Sequence, residues 1–330
     1  MKIDILVADN TYGTARHFAK GLQKGLLELG HEAPAHWIGE GHFYHALAEM
    51  QKSPPDFTLS FSIIEGLENA PFPHFTYLFD PVVYFLPLLL QKNHTLSCQD
   101  REEATIVGRL FLPHAVCPSL MTSPDKEREY DAVFFGSCID IDALIESWGE
   151  NSLFLDVAMR VLTSPLSILE ALREAKFRNE EIVIAFEQVD AFVRGFERIA
   201  LLKQFPEACI WGNGPWKKYL PDAVIFPATS FSETIEIMRC AKRVLNTSTT
   251  IKQGLHERIL TALACGAQPI TANNGVLAQE FSTLPTFPQG EWEEAPEIRH
   301  NVQSILDAQT RILARHTWKT RAEKIVEHMK

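Results

Sequence analysis

The strongest constraint on this chain is a repeated alternation of short apolar runs with helix-length amphipathic segments. IDILVA (Ile3 to Ala8) precedes a segment of helical periodicity from about Thr14 to Leu29, closed by Gly30. FTLSFS (Phe57 to Ser62), HFTYLF (His74 to Phe79) and HTLSC (His94 to Cys98) read as further strands with helices among them. The rhythm returns in ACIW (Ala208 to Trp211), AVIF (Ala223 to Phe226), RVLN (Arg243 to Asn246) and AQPIT (Ala267 to Thr271). Strands alternating with helices predict an α/β fold whose parallel sheets are covered by helices.

At 330 residues the chain exceeds one core, since domains run to roughly 100–200 residues. The pattern breaks in the Pro- and Ser-containing stretch from Pro113 to Glu129, and a new strand begins at Asp131. The expected domains are therefore 1–125, 126–295 and a helical tail, 296–330, that can cross back to the first domain. Between Leu153 and Phe205 the periodicity is helical almost throughout, which predicts several packed helices.

Acidic residues outnumber basic ones, 42 to 31, for a formal charge of −11. That far field repels nucleic acid, although one cleft can still hold a small anion. The six cysteines are widely spaced with no CxxC pair, and MKIDILVADN lacks the pattern of a secretory signal, so a reducing, cytoplasmic setting is expected. The apolar run FTYLFDPVVYFLPLLLQK is interrupted by Asp80, Pro81 and Pro87, so no transmembrane helix is expected there.

Ligands of open α/β sheets collect beyond the carboxyl ends of strands, which makes the residues after each strand the candidates. Asp9 and Asn10 follow the first strand, either to meet a ligand or to cap the next helix. Asp80 follows Phe79, as a general base or as the cap of a helix opened by Pro81. Gly136 and Ser137 form a strand-to-helix turn whose free amides suit an anion. Gly212 and Asn213 sit in WGNGPW, a small loop with aromatics that suits a nucleobase or simply turns the chain. Asp140 and Asp142 have the spacing of a metal site but also suit a first helical turn, and no metal site is assigned.

GLHERILTALACGAQPIT places His256, Glu257 and Arg258 in the first turn of a helix that Gly266 ends. Unpaired amides and the positive dipole end there can hold a diphosphate, with Arg258 or His256 adding charge and Glu257 bonding ribose hydroxyls. The bland alternative has Glu257 answering the dipole and Arg258 in solvent.

In TYLFDPV, FLPHAV, YDAVFFGS, CIWGNGPW, AKRVLNTST and GLHERILTALACGAQPIT, taken in order, the chain resembles the CgeB-like (spore maturation protein-like) glycosyltransferases. These belong to the GT-B class of two facing Rossmann-like domains. The resemblance implies a hexosyltransferase-like, metal-independent enzyme that moves a sugar from a nucleotide-diphosphate sugar, such as a UDP-sugar, to an acceptor that it does not identify. No tightly bound cofactor is implied; the nucleotide sugar is the partner. Carried over by motif, Gly136, Gly212, Asn246, Gly254, His256, Glu257 and Arg258 would hold the donor, with Lys242 as a further cation on the leaving diphosphate. Asp80, Asp9 or His114 would be the acceptor base. Many retaining GT-B enzymes carry two glutamates at positions that correspond to Gln253 and Thr261, and this departure leaves the anomeric outcome open. A GT-B-fold nucleotide-sugar epimerase and a non-catalytic binding or assembly protein on the same scaffold are the alternatives.

Overall fold

A computed structural model describes the chain except for residues 9–11, 40–41, 62–63, 65–66, 68–69, 91–92, 150–152, 179–180 and 248–250. For 42–44, 87, 88 and 90 it describes the backbone alone.

The chain divides into two compact units. The first comprises Met1–Ser119, Ser230–Ser232 and Ile312–Lys330, and the second Leu120–Thr229 and Glu233–Arg311. The division falls ahead of the expected boundary at 125/126, and the first unit claims only the end of the expected tail.

Unit 1 begins β1 (Ile3–Ala8), α1 (Thr14–Glu28), β2 (Ala35–Ile38), α2 (His42–Lys52), β3 (Phe57–Phe61) and β4 (His74–Tyr77). A 3-10 segment, Val82–Leu90, then leads to β5 (His94–Cys98), α3 (Arg101–Val107) and β6 (Leu110–Phe111). The interrupted apolar run thus folds as strand, turn and 3-10 helix, and among the described residues no helix is long and apolar enough to cross a membrane. The sheet is parallel, ordered β2-β1-β3-β4-β5-β6.

Thr58, Ser60, His74, Thr76 and His94, polar residues of β3, β4 and β5, are buried. They satisfy one another across the strands. Thr58 Oγ1 lies 2.6 Å from His74 Nδ1, Ser60 Oγ 2.9 Å from His74 Nε2, and Thr76 Oγ1 2.6 Å from His94 Nε2. A neutral imidazole offers one donor and one acceptor, so hydroxyls on both nitrogens satisfy the His74 ring. Burial, with His94 beside it, holds His74 well below its ordinary pKa.

Unit 2 runs β7 (Tyr130–Phe135), α4 (Ile141–Trp148), α5 (Leu153–Thr163), α6 (Ile168–Glu174), α7 (Ile182–Lys203), β8 (Cys209–Trp211), α8 (Trp216–Tyr219) and β9 (Val224–Phe226). It continues with α9 (Phe231–Arg239), β10 (Ala241–Leu245), α10 (Glu257–Ala264), β11 (Gln268–Ile270) and α11 (Gly275–Glu280). Its parallel sheet is ordered β11-β10-β7-β8-β9, with the first strand in the middle. Phe134, Ile210, Leu245 and Ile270 from the sheet pack with Ile199, Leu202, Phe205 and Trp216 in one core.

Two helices finish the chain, α12 (Val302–Arg315) and α13 (Trp318–Met329). Within unit 1, α13 lies on α1 because Gly21 and Gly25 leave room for it. A Cβ on Gly21 would come 2.3 Å from Trp318 Cδ1, and one on Gly25 2.9 Å from the Lys319 backbone. Arg321 locks the helix by donating to the carbonyls of Pro113 at 2.5 Å and His114 at 2.7 Å.

Candidate functional site

With β7 at the centre of its sheet, the strand order of unit 2 reverses between β7 and β10, and the crevice beyond their carboxyl ends is where open α/β sheets take ligands. Gly136 and Ser137 follow β7, Asn246 follows β10, and α10 starts from the same end. In unit 1 the reversal lies between β1 and β3. Residues 9–11, which include the candidate Asp9, and 62–63 follow those strands and lie outside the described residues.

The loop after β7 is laced to the loop after β8. Gly136 N donates to Trp211 O at 3.0 Å, Cys138 N to Asn213 O at 2.7 Å, and Gly212 N to Phe226 O at 3.0 Å. Such close approach requires glycine: a Cβ on Gly212 would sit 1.8 Å from Gly136 O, and Gly214 has φ +95 with Cys138 O only 2.3 Å from its Cβ position. The expectation of free amides at this turn narrows to Ser137, since Gly136 and, beyond it, Cys138 spend theirs inside the protein. Asn213 Oδ1 likewise accepts from Ala228 N at 3.4 Å.

Positive charge reaches the turn through side chains. Arg198, on α7, donates through Nη1 to Ser137 O at 2.6 Å, and its Cζ lies 3.6 Å from where a Cβ on Gly136 would be. Arg258 places its guanidinium 5.5 Å from the centre of the Phe134 ring. Burial first, then Arg258 and Arg194, bring Arg198 down to about 10, and burial lowers Arg258 while Glu257 opposes the shift. Among the described residues neither guanidinium has an ion-pair partner.

At the first turn of α10, His256 is the N-cap residue, and its Nδ1 lies 3.2 Å from Arg258 N and 2.5 Å from Glu257 Oε2. These contacts are alternatives. A bare Nδ1 accepts from the amide, whereas a protonated one donates to the carboxylate. Asn246 is 1% exposed, and its Nδ2 donates to Thr271 Oγ1 at 3.1 Å while Oδ1 finds no partner among the described residues. Gly254 is buried, and its carbonyl accepts from Asn274 Nδ2 at 3.2 Å.

Lys242 does not join this group. It lies near the start of β10, at the opposite end of the sheet from Asn246, and donates to Asp131 Oδ1 at 2.6 Å. His114 is also corrected as a base: it is 4% exposed and stacks on Phe79 at 5.1 Å within the aromatic core of unit 1. Asp80 is exposed past the end of β4. Asp140 caps α4 and pairs with Lys218 at 2.6 Å, and Lys218 also reaches Asp142 at 2.9 Å. Lys218 is first among the causes that hold the Asp140 carboxyl down to about 2.

Sequence reasoning missed Arg198 and Lys252. Arg198 is one charge in a long amphipathic helix, distant in sequence from every motif. Lys252 is buried and donates to Val161 O at 2.8 Å and Ser164 O at 3.0 Å, fixing the approach to Gly254; burial pulls its ammonium down to about 8.

The family described as "Glycosyl transferase-like" matches residues 191–327, a stretch that includes Arg198, Gly212, Asn246 and Arg258. No curated protein matches in sequence. Among solved structures, an alpha-glucosyltransferase in complex with UDP and a 13-mer DNA containing a central A:G mismatch aligns over 100% of this chain and 99% of its own, with TM-score 0.56 at 12% identity. A UDP-GlcNAc 2-epimerase of Methanocaldococcus jannaschii aligns over 100% of this chain and 99% of its own, with TM-score 0.43 at 8% identity. MurG of Acinetobacter baumannii aligns over 99% of this chain and 100% of its own, with TM-score 0.42 at 10% identity. The last two are too distant to carry an argument. The chain contains a glycosyl transferase-like domain, and its two parallel α/β units with C-terminal helices have the GT-B fold.

Proposed function

We propose that this protein moves a sugar from a nucleoside-diphosphate sugar to an acceptor, and that unit 2 holds the donor. The observation that carries the reading is Arg258: a guanidinium in the first turn of a helix, beyond the strands at the topological switch, packed over Phe134 and, among the described residues, lacking an ion-pair partner. A cation so placed gains most from a diphosphate, whose charge it meets together with the positive end of α10. As the bond to the sugar breaks, negative charge grows on the leaving diphosphate, and donors already aimed there stabilise the transition state more than the ground state.

Gly136, Gly212 and Gly254 shape the crevice, Glu257 accepts from ribose hydroxyls, and Oδ1 of Asn246, without a partner among the described residues, accepts from the ligand. Asp80 is the proposed acceptor base. UDP is the first nucleotide to try, because it is the one bound to the glucosyltransferase of similar fold; the net charge of −11 argues against DNA as this chain's acceptor.

The test is mass spectrometry of UDP-, GDP-, dTDP-, CDP- and ADP-sugars incubated with the protein. Release of free nucleoside diphosphate from one donor is expected, lost in Arg258→Ala. An isomerised donor with no release would make the protein an epimerase, and the recovery of every donor unchanged by folded protein, with or without candidate acceptors, would end the transferase reading. Asp80→Asn should still bind nucleotide but lose turnover; undiminished transfer would remove Asp80.

A further inference from the structure

We propose that Arg198, on α7, is a second anion-binding residue of the donor site and bonds a phosphoryl oxygen of the nucleoside diphosphate beside Arg258; this rests on the donor reading above. Arginine carries five N–H donors, and two buried guanidiniums elsewhere in this protein each bond several acceptors. Arg128 donates to the carbonyls of Met238, Arg239, Ala241, Ser123 and Cys265. Arg321 donates to the carbonyls of Pro113, His114 and Arg315 and bonds His316. Arg198 makes one such bond, to Ser137 O; its buried Nε, like that of Arg128, has no partner among the described residues.

Nearby acids do not complete the set. Asp190 pairs with Arg194 one turn earlier on α7. Glu197, 1% exposed, acts on Lys252 as well as on Arg198 and forms no ion pair with Arg198. Arg258, the nearest cation in effect, repels Arg198. Two guanidiniums withdrawn from water that repel one another, with no carboxylate ion-paired to either among the described residues, are unfavourable, and a multivalent anion bonded to both lessens the penalty. The one fixed bond of Arg198 also orients it, since Ser137 O holds Nη1 and leaves the rest of the fork to a ligand. In this way α7, which precedes β8 and lies outside every sequence motif, becomes part of the donor site.

The test is calorimetry with UDP, GDP, ADP, CDP and dTDP and with the matching uncharged nucleosides, on the wild type, Arg198→Gln and Arg198→Lys, with unliganded melting curves to check folding. For the diphosphate that the wild type binds, Arg198→Gln should weaken binding roughly tenfold or more, while nucleoside affinity stays within about twofold. Arg198→Lys, which keeps the charge but not the fork, should fall between, and it carries the test if the Gln variant does not fold. Equal diphosphate affinity in the variants and the wild type would overturn the role of Arg198 and leave the donor reading standing. A matching loss for nucleoside and diphosphate would make Arg198 a purely structural residue. A folded wild type that binds no diphosphate would overturn the donor reading and this proposal with it.

Discussion

The two ends of the unit 2 sheet treat positive charge differently. At the amino end Arg128 is answered by five carbonyls, Lys242 by Asp131 at 2.6 Å and Arg243 by Glu207 at 2.8 Å. At the carboxyl end Arg258 rests on an aromatic ring and Arg198 on a single carbonyl. Stability alone favours the first arrangement, because an unpaired, partly desolvated charge works against folding. Lys218 and Lys252, beyond the carboxyl ends of β8 and β10, are answered by carboxylates and carbonyls, so Arg198 and Arg258 stand out there and mark the place to look for an anionic ligand.

The largest effect that would sharpen this contrast is at Arg128. Arg128→Met strands five carbonyls and should lower stability by about 3–5 kcal/mol in urea unfolding. Arg258→Met, which strands none, should lower it far less; equal losses would erase the distinction between the ends. Gly212→Ala tests the interlocked loops. Its Cβ would fall 1.8 Å from Gly136 O, so a loss of about 1–3 kcal/mol is expected, together with weaker nucleotide binding in calorimetry.

Unit 1 supplies the converse case, a buried group kept neutral. The folded pKa of His74 lies well below the ordinary value of 6.5. As pH falls below the unfolded value, the unfolded chain therefore takes up the proton first and stability drops. The slope for this one group should approach about 1.4 kcal/mol per pH unit, read from denaturation midpoints between neutral and mildly acidic pH. A His74→Asn variant should lose that component of the slope. The smallest effect belongs to Lys242→Ala: removal of an exposed ion pair should change stability by less than about 1 kcal/mol and leave nucleotide affinity unaltered. Weakened binding would return Lys242 to the site.

Strands and helices were legible because apolar periodicity is a local property. β1, α1, β5 and the strands of unit 2 start and end close to the expected residues, whereas β2 gave little signal because its AHWI run is only partly buried. The polar residues of β3, β4 and β5 show what periodicity leaves out. Ser60, His74 and Thr76 are polar, yet they are buried because they satisfy partners across strands, a fact that exists only once the register is set.

The site divides along the same line. His256, Glu257 and Arg258 were legible because a helix start can be read from neighbouring letters. Lys242 misled because its position in the sequence says nothing about which end of a strand its partner occupies. Arg198 was invisible because its relation to Ser137 is made by the packing of α7.

Calorimetric titration of nucleoside diphosphates into wild-type protein and Arg258→Met tests most directly whether the open end of the sheet binds an anionic donor. At least one diphosphate should bind the wild type, and the variant should bind it at least about tenfold more weakly without losing its fold. Folded wild-type protein that binds none of them, or an Arg258→Met variant that binds equally well, would contradict the assignment.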